Sequence, residues 1–428
     1  MLDLLTDPGQ RMHELATRLF PVNRSIMGEG TRQSLRILQE TMPDMILTEV
    51  PSGTRVNDWT VPQEWWITGA AISSLDGQVL VDFADCNLHV VGYSEPIDAV
   101  MTREELEPHL HSLPDQPDAV PYVTSYYERR WGFCLSERQR QGLGDGPFHV
   151  RIDAGHADGS LTYGEVLLPG ELEDEVLLST YVCHPSMANN ELSGPVVMAA
   201  LYQWLKARSK LKYSYRMFIG PETIGAIAYL DKNLELLQSR VRAGWVLTCL
   251  GDERSFSYLP SRMGGTLADR ITHEVLSTRD YKTFSFLDRG SDERQWCAPC
   301  VDLPVCSVMR SKYGTYPEYH TSLDDLSLVT ATGLEGGFTV LTECLECLED
   351  RPRWTSTVKG EPQLGGRGLY STLSTVGSAV SARPLLNVLA YCDGNHDVSE
   401  LAALTQMPVP EVLEALRILR SEELVVER

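Results

Sequence analysis

Val176-Leu177-Leu178-Ser179-Thr180-Tyr181-Val182-Cys183-His184-Pro185-Ser186-Met187-Ala188-Asn189-Asn190-Glu191-Leu192-Ser193-Gly194 reads as a buried strand that runs out into a polar loop. The histidine stands at the strand end, ready to point into a cleft. The pattern recurs downstream in Phe218-Ile219-Gly220-Pro221-Glu222-Thr223-Ile224-Gly225, an apolar strand ending in an acid. A second histidine of this kind lies in Glu318-Tyr319-His320-Thr321-Ser322-Leu323-Asp324-Asp325. Two imidazoles and a carboxylate, each at the end of a strand, are the donor set that zinc hydrolysis needs.

From about residue 148 the chain alternates strand, helix, strand. Glu175–Tyr181, Tyr215–Ile219 and Gly244–Cys249 are expected strands, and Pro195–Arg208 is an expected helix with one apolar face. Such alternation predicts an α/β fold with a mostly parallel sheet flanked by helices. Ligands bind at the carboxyl ends of such strands, where His184, Glu222 and Asp252 fall. Residues 9–42 read as two helices. Residues 46–130 hold short β-type runs, turn signals and Trp59, Trp65 and Trp66, which predicts a small inserted β-rich domain. Residues 354–382 are rich in Gly, Ser and Thr and read as a linker. In 383–428, Leu385–Ala390, Val398–Thr405 and Val409–Leu419 have a helix-turn-helix rhythm, with Leu424-Val425-Val426 as a wing. The expected domains are therefore an α/β domain of residues 1–45 and 131–353, a β-domain of 46–130, and a winged helix of 383–428.

A chain of 428 residues with 43% hydrophobic and 22% charged content is ordinary for a soluble protein. No apolar run is long enough to cross a bilayer. The start, Met1 to Pro8, carries acids and lacks the basic flank of a signal peptide, so a cytoplasmic location is expected. Net charge is -22, which repels phosphates and argues against nucleic acid and anionic membranes as partners. The winged-helix segment follows suit. Arg383, Arg417, Arg420 and Arg428 face eight acids, and Glu411 and Glu414 stand on the helix that would read DNA. A protein-contact module is the expected role, with homo-oligomerisation through this segment or the β-domain. Without a secretory signal, the ten cysteines are expected as reduced thiols in core positions.

The strand-end motifs together resemble the zinc aminopeptidase superfamily that includes the glutaminyl cyclases. The whole chain more closely resembles a bacterial group within it: aminopeptidase-like proteins with an inserted β-domain and a C-terminal winged helix, often encoded beside polysaccharide or natural-product genes. The match is carried by Asn57-Asp58-Trp59, Asn87-Leu88-His89, Pro121-Tyr122-Val123-Thr124-Ser125-Tyr126-Tyr127, Trp131-Gly132-Phe133-Cys134, Cys183-His184-Pro185-Ser186, Pro221-Glu222-Thr223, Gly290-Ser291-Asp292-Glu293-Arg294-Gln295 and Glu318-Tyr319-His320.

The resemblance implies metal positions at His184, Asn190 and His320, with Asn190 where the superfamily has an aspartate bridging two metals. A neutral amide bridges two cations poorly. The superfamily's Glu-Glu pair is here Glu222-Thr223, and a further acidic ligand would fall near Thr248 or Cys249. One zinc ion is the expected cofactor. Glu222 is the expected catalytic base, its alternative being a cap for the following helix. Glu191, Asp292, Glu293 and Arg310 are the expected substrate contacts, Arg310 through a substrate carboxylate. The expected activity is zinc-dependent hydrolysis of an amide bond in a small peptide-like or acylated amino-sugar metabolite. A single-zinc cyclising acyl transfer, and a scaffold with a degenerate metal site, are the alternatives.

Overall fold

The structure is a computed structural model that describes residues 2–126, 128–369 and 382–427. The chain divides into two compact units, residues 1–345 and 346–428.

The first unit is built on an eight-stranded sheet in the order Ile46–Pro51, Ser160–Leu168, Ser214–Gly220, Glu175–Tyr181, Val241–Leu247, Val305–Met309, Phe256–Leu259, Tyr281–Thr283. The central strands pair in parallel, as do Phe256–Leu259 and Tyr281–Thr283; antiparallel pairs join Ile46–Pro51 to Ser160–Leu168, Ser160–Leu168 to Ser214–Gly220, and Phe256–Leu259 to Val305–Met309. Every residue of Glu175–Tyr181 and Ser214–Gly220 is buried. That is why these strands read as continuous rather than alternating apolar runs. Ser193–Ala207 packs against them as a helix, and its Gly194 is required by close approach. A side chain there would meet the Leu247 carbonyl and the Thr180 hydroxyl within 2.3 Å.

Glu175 is polar inside this apolar strand because it closes an ion pair. Arg216 on the next strand donates to it through Nε (2.5 Å) and Nη2 (2.9 Å), and through Nη1 to the Tyr229 hydroxyl. Both charged residues are buried. Glu175→Ala leaves the guanidinium with Glu165 as its remaining close carboxylate. We expect a loss of about 3 kcal/mol in chemical denaturation, at the low end for breaking a buried pair. A loss below about 1 kcal/mol would contradict that reading of the pair.

A second sheet has four strands, Val79–Asp82, Glu64–Ser74, Phe148–Ala157 and Ile97–Met101, three of them from the β-rich stretch 46–130. Ile46–Pro51 leaves it to pair with Ser160–Leu168 in the large sheet, and Phe148–Ala157, beyond residue 130, supplies its long central pairing with Glu64–Ser74.

In the second unit the helices Arg383–Ala390, Val398–Thr405 and Val409–Ser421 and the strand Val425–Glu427 form a winged helix. The segment expected as a linker is partly structural. Trp354–Ser356 pairs with the wing strand, and Trp354 and Leu364 are buried in the core of this unit. Residues 370–381 of that segment lie outside the described residues. Among the described residues no helix is long and apolar enough to cross a membrane.

Candidate active site

The loop after Tyr181 carries the site. It leaves the strand through Cys183 and His184, turns back through a single π-type turn at Ala188–Leu192, and enters the helix at Ser193. Such turns often mark functional positions. Here the turn brings Glu191 beneath the histidine. One Glu191 oxygen accepts from the backbone amides of Cys183 and His184 (2.7 Å for the latter), and the other lies 2.6 Å from His184 Nδ1. With Nδ1 engaged, Nε2 faces the cleft, 3.7 Å from a Glu222 oxygen.

Glu191 is fully buried behind this ring. It therefore does not reach a substrate, contrary to the expectation from sequence; it orients His184. Carboxylate partners of this kind fix the tautomer of a metal-binding imidazole. Glu191→Gln keeps the volume but presents an amide to donors the carboxylate satisfied. We expect about a 10- to 100-fold loss of zinc affinity by titration calorimetry, with cooperative melting retained. Unchanged affinity would remove Glu191 from this role.

His320 lies in the loop that follows Val305–Met309, two strands across from the strand that carries His184. Its ring centre is 5.4 Å from that of His184. Tyr319 stacks on it at 3.9 Å, and Tyr122 sits against both imidazoles, at 5.1 Å from His184 and 5.3 Å from His320. The Tyr122 amide donates to the His320 carbonyl, which fixes the aromatic segment to the histidine loop. Tyr127, the last residue of that motif, lies outside the described residues. Burial, reinforced by His184, holds the His320 ring neutral down to a pKa of about 3. Burial opposes charge on His184 as well, but Cys183 and Glu191 outweigh it and raise its pKa well above that of a free imidazole.

Glu222 stands at the end of Ser214–Gly220, one-fifth exposed, and its carboxyl is raised by burial against the pull of His184. It does not cap the following helix by a side-chain hydrogen bond. Thr223 beside it has φ +67°; its amide donates to Asp292 Oδ1 (2.7 Å) and its hydroxyl accepts from Arg294 (2.8 Å). Ser186, Cys249 and His320 also have positive φ. Strained backbone thus gathers around these loops, as it does at sites where geometry is over-determined.

The other expected residues divide. Asp292 is fully buried, with one oxygen on Thr223 and the other without a hydrogen-bond partner; burial, then the Glu222 charge, push its carboxyl well above the ordinary range. It supports the Glu222 loop. Glu293 is likewise buried and accepts from the Gly290 and Ser291 amides and the Tyr313 hydroxyl, so it braces the loop rather than contacting the cleft. Arg310 is elsewhere: its Nε donates to the Asp252 carbonyl and its guanidinium lies 4.2 Å from the Phe256 ring centre. Asp252 itself is spent on Asn189, Ser311 and the Arg254 amide. Asn190 donates to the Tyr181 hydroxyl (3.0 Å), while its buried carbonyl oxygen accepts nothing. Thr248, near which the resemblance puts a further acidic ligand, shares a hydrogen bond with the Tyr181 hydroxyl and donates to the main-chain carbonyl of Asn190, not to its orphaned side-chain oxygen.

Sequence reasoning gave no site role to Arg24 or Asp324. Arg24 is fully buried, donating to the His184 carbonyl (2.9 Å) and the Leu19 carbonyl; burial lowers it to about 10 and Glu191 opposes that shift. It supplies the counter-charge to Glu191. Asp324 accepts from the amides of Asn189 (2.6 Å) and Asn190 (3.0 Å), tying the two histidine loops together. Asp324 lay within the His320 motif, but Arg24 sits in a loop whose partner is distant in sequence.

The cleft above these groups holds about 410 Å³ and is walled by Ile26, Trp59, Pro62, Tyr126, Thr223 and Arg294. Two imidazoles on one tetrahedral zinc place their ring centres about 5 Å apart. The His184 and His320 ring centres stand 5.4 Å apart, and a Glu222 oxygen lies 3.7 Å from His184 Nε2. Cys183, His184 and Glu191 also cluster within 4.8 Å, but there the carboxylate is already committed to the two backbone amides.

The large mixed sheet flanked by helices, with a C-terminal winged helix, is the architecture of an aminopeptidase-like α/β protein. The chain belongs to the family described as a domain of unknown function (DUF4910), which matches residues 13–351, and residues 352–427 match a winged helix-turn-helix family. A Clostridium acetobutylicum protein named for polysaccharide biosynthesis and an aminopeptidase-like domain is 42% identical over 368 residues, 85% of this chain and 84% of that one. A crystal structure of a protein from the same organism has a TM-score of 0.83 at 37% identity, covering 100% of this chain and 98% of the other. A zinc aminopeptidase from Bacillus subtilis shares the fold with a TM-score of 0.57 at 12% identity, over 79% of this chain and 94% of its own.

Proposed function

We propose that the protein is a single-zinc amide hydrolase acting on a short peptide-like or acylated amino-sugar metabolite in polysaccharide or natural-product biosynthesis. What supports this reading is the closeness to His184 of the His320 ring, 5.4 Å between centres, and of a Glu222 oxygen, 3.7 Å from Nε2. His184 and His320 would hold the metal. When bound, zinc supplies Lewis-acid polarisation of a carbonyl and acidifies water. Glu222 takes a proton from water and delivers it to the departing amine; its burial-raised carboxyl is better matched to that exchange than an ordinary glutamate. Glu191 and Arg24 hold the His184 loop. Trp59, Tyr126 and Ile26 narrow the cleft and exclude bulk water. Its volume suits a small substrate.

The name of the Clostridium relative supports the biosynthetic setting. We take the winged helix as a protein-contact and oligomerisation module rather than a DNA reader. Its third helix, Val409–Ser421, pairs Arg417 with its own Glu414, and Arg420 pairs with Glu427 on the wing, so neither guanidinium is left without a carboxylate.

Asn190 and Thr223, each replacing a carboxylate, keep two other readings in play: cyclisation by an internal amine, and a metal-free scaffold. Incubation of dipeptides and N-acetylated amino sugars in oxygen-labelled water separates them. We expect label in the product carboxylate. Amine release without label marks cyclisation, and no turnover of any probe favours the scaffold.

A further inference from the structure

A second cavity of about 590 Å³ adjoins the first, and Arg294 lines both. Arg262 and Arg289 also line it, and no aspartate or glutamate does among the described residues. In a chain of net charge -22, three arginines around one acid-free cavity run against the general field.

They are not equivalent. Arg262 is held by Asp302 through two contacts, 3.0 and 2.8 Å. Arg289 is exposed, lies 5.0 Å from the Phe286 ring centre, and has no carboxylate within ion-pair distance among the described residues. Arg294 also lacks one; its Nε donates to the Ser291 carbonyl (3.0 Å) and its Nη2 to the Thr223 hydroxyl. Those bonds fix the plane of the guanidinium and leave Nη1 unused at the junction of the two cavities. The short helix beneath it is braced by Glu293, so Arg294 is a rigid cation. Phe286, Leu287 and Met263 give the second cavity an apolar wall, the last two 82% and 75% exposed.

We infer that the second cavity is a substrate subsite for an anionic group, a carboxylate or a phosphate, carried on the substrate away from the bond that is cleaved, with Arg289 and Arg294 as its cationic contacts. Guanidinium forks suit both oxyanions. The inference rests on the hydrolase reading for calling the ligand a substrate, but the anion site has its own readout.

Inorganic phosphate and succinate are titrated separately into the full chain by calorimetry, with zinc content measured on the same samples. We expect saturable binding of at least one anion, the tighter one naming the group. Arg289→Gln and Arg294→Gln should each weaken it about tenfold or more, and Arg289→Lys less. Arg289 is on the surface, so its replacement leaves the fold in place. No saturable binding of either anion, or binding unchanged in both glutamine variants, overturns the subsite. Anion binding that follows this pattern in protein that takes up no zinc leaves the subsite standing and sinks the hydrolase reading instead.

Discussion

Glu222→Gln is expected to lower amide hydrolysis by about 10²- to 10⁴-fold, the range for removing a general base. Glutamine fills the same space, so the cleft and the neighbouring Asp292–Thr223 contact are kept, and only the ability to take a proton is lost. The geometry also sets a second readout. If Glu222 serves as base, zinc affinity in the variant stays close to that of the unaltered protein, because His184 and His320 remain. A parallel collapse of zinc binding would instead make Glu222 a metal ligand, and the proton acceptor would have to be sought elsewhere. Asp292 is the nearest buried carboxyl, but one of its oxygens is held by the Thr223 amide and burial keeps its proton on. Activity close to that of the unaltered protein would remove Glu222 from the chemistry altogether.

The other large effect belongs to His320. Its ring is stacked on Tyr319 and edged by Tyr122, with the backbone at φ +56° set by the loop rather than by the imidazole. Alanine at that position meets the same backbone strain as histidine, so the loop is expected to survive the change. What is lost is a neutral nitrogen donor. Removing one of two imidazoles from a site with no second carboxylate leaves too few ligands to hold zinc.

The central strands were legible in the sequence because burial on both faces leaves an unbroken apolar run, and 175–181 is read without error. His184 and Glu222 were singled out for the same reason, since a polar residue just past an apolar strand stands out locally, whereas His320 lies in a long loop after Val305–Met309 and was singled out by its motif alone. What a sequence does not display is which distant segment pairs with which. Ile46–Pro51 looks like part of the β-rich stretch that follows it, yet it joins the large sheet through Ser160–Leu168, and Phe148–Ala157 joins the small one. Trp354–Ser356 sits in a Gly- and Ser-rich setting and is a strand only because the wing strand lies beside it. The site follows the same rule. Glu191 is one residue from Asn190 and reads as its neighbour in the cleft, but the π-type turn sends it under His184. Arg310 reads as a free cation until the Asp252 carbonyl and Phe256 ring are placed against it.

The account stands most directly on metal content. Zinc is measured by mass spectrometry on freshly purified full-length protein and on His320→Ala, after equilibration with excess zinc and removal of the unbound ion, with thermal melting as the check on folding. The account predicts close to one zinc per chain in the unaltered protein and almost none in a variant that still melts cooperatively. Equal zinc in both proteins, or none in either, would contradict it.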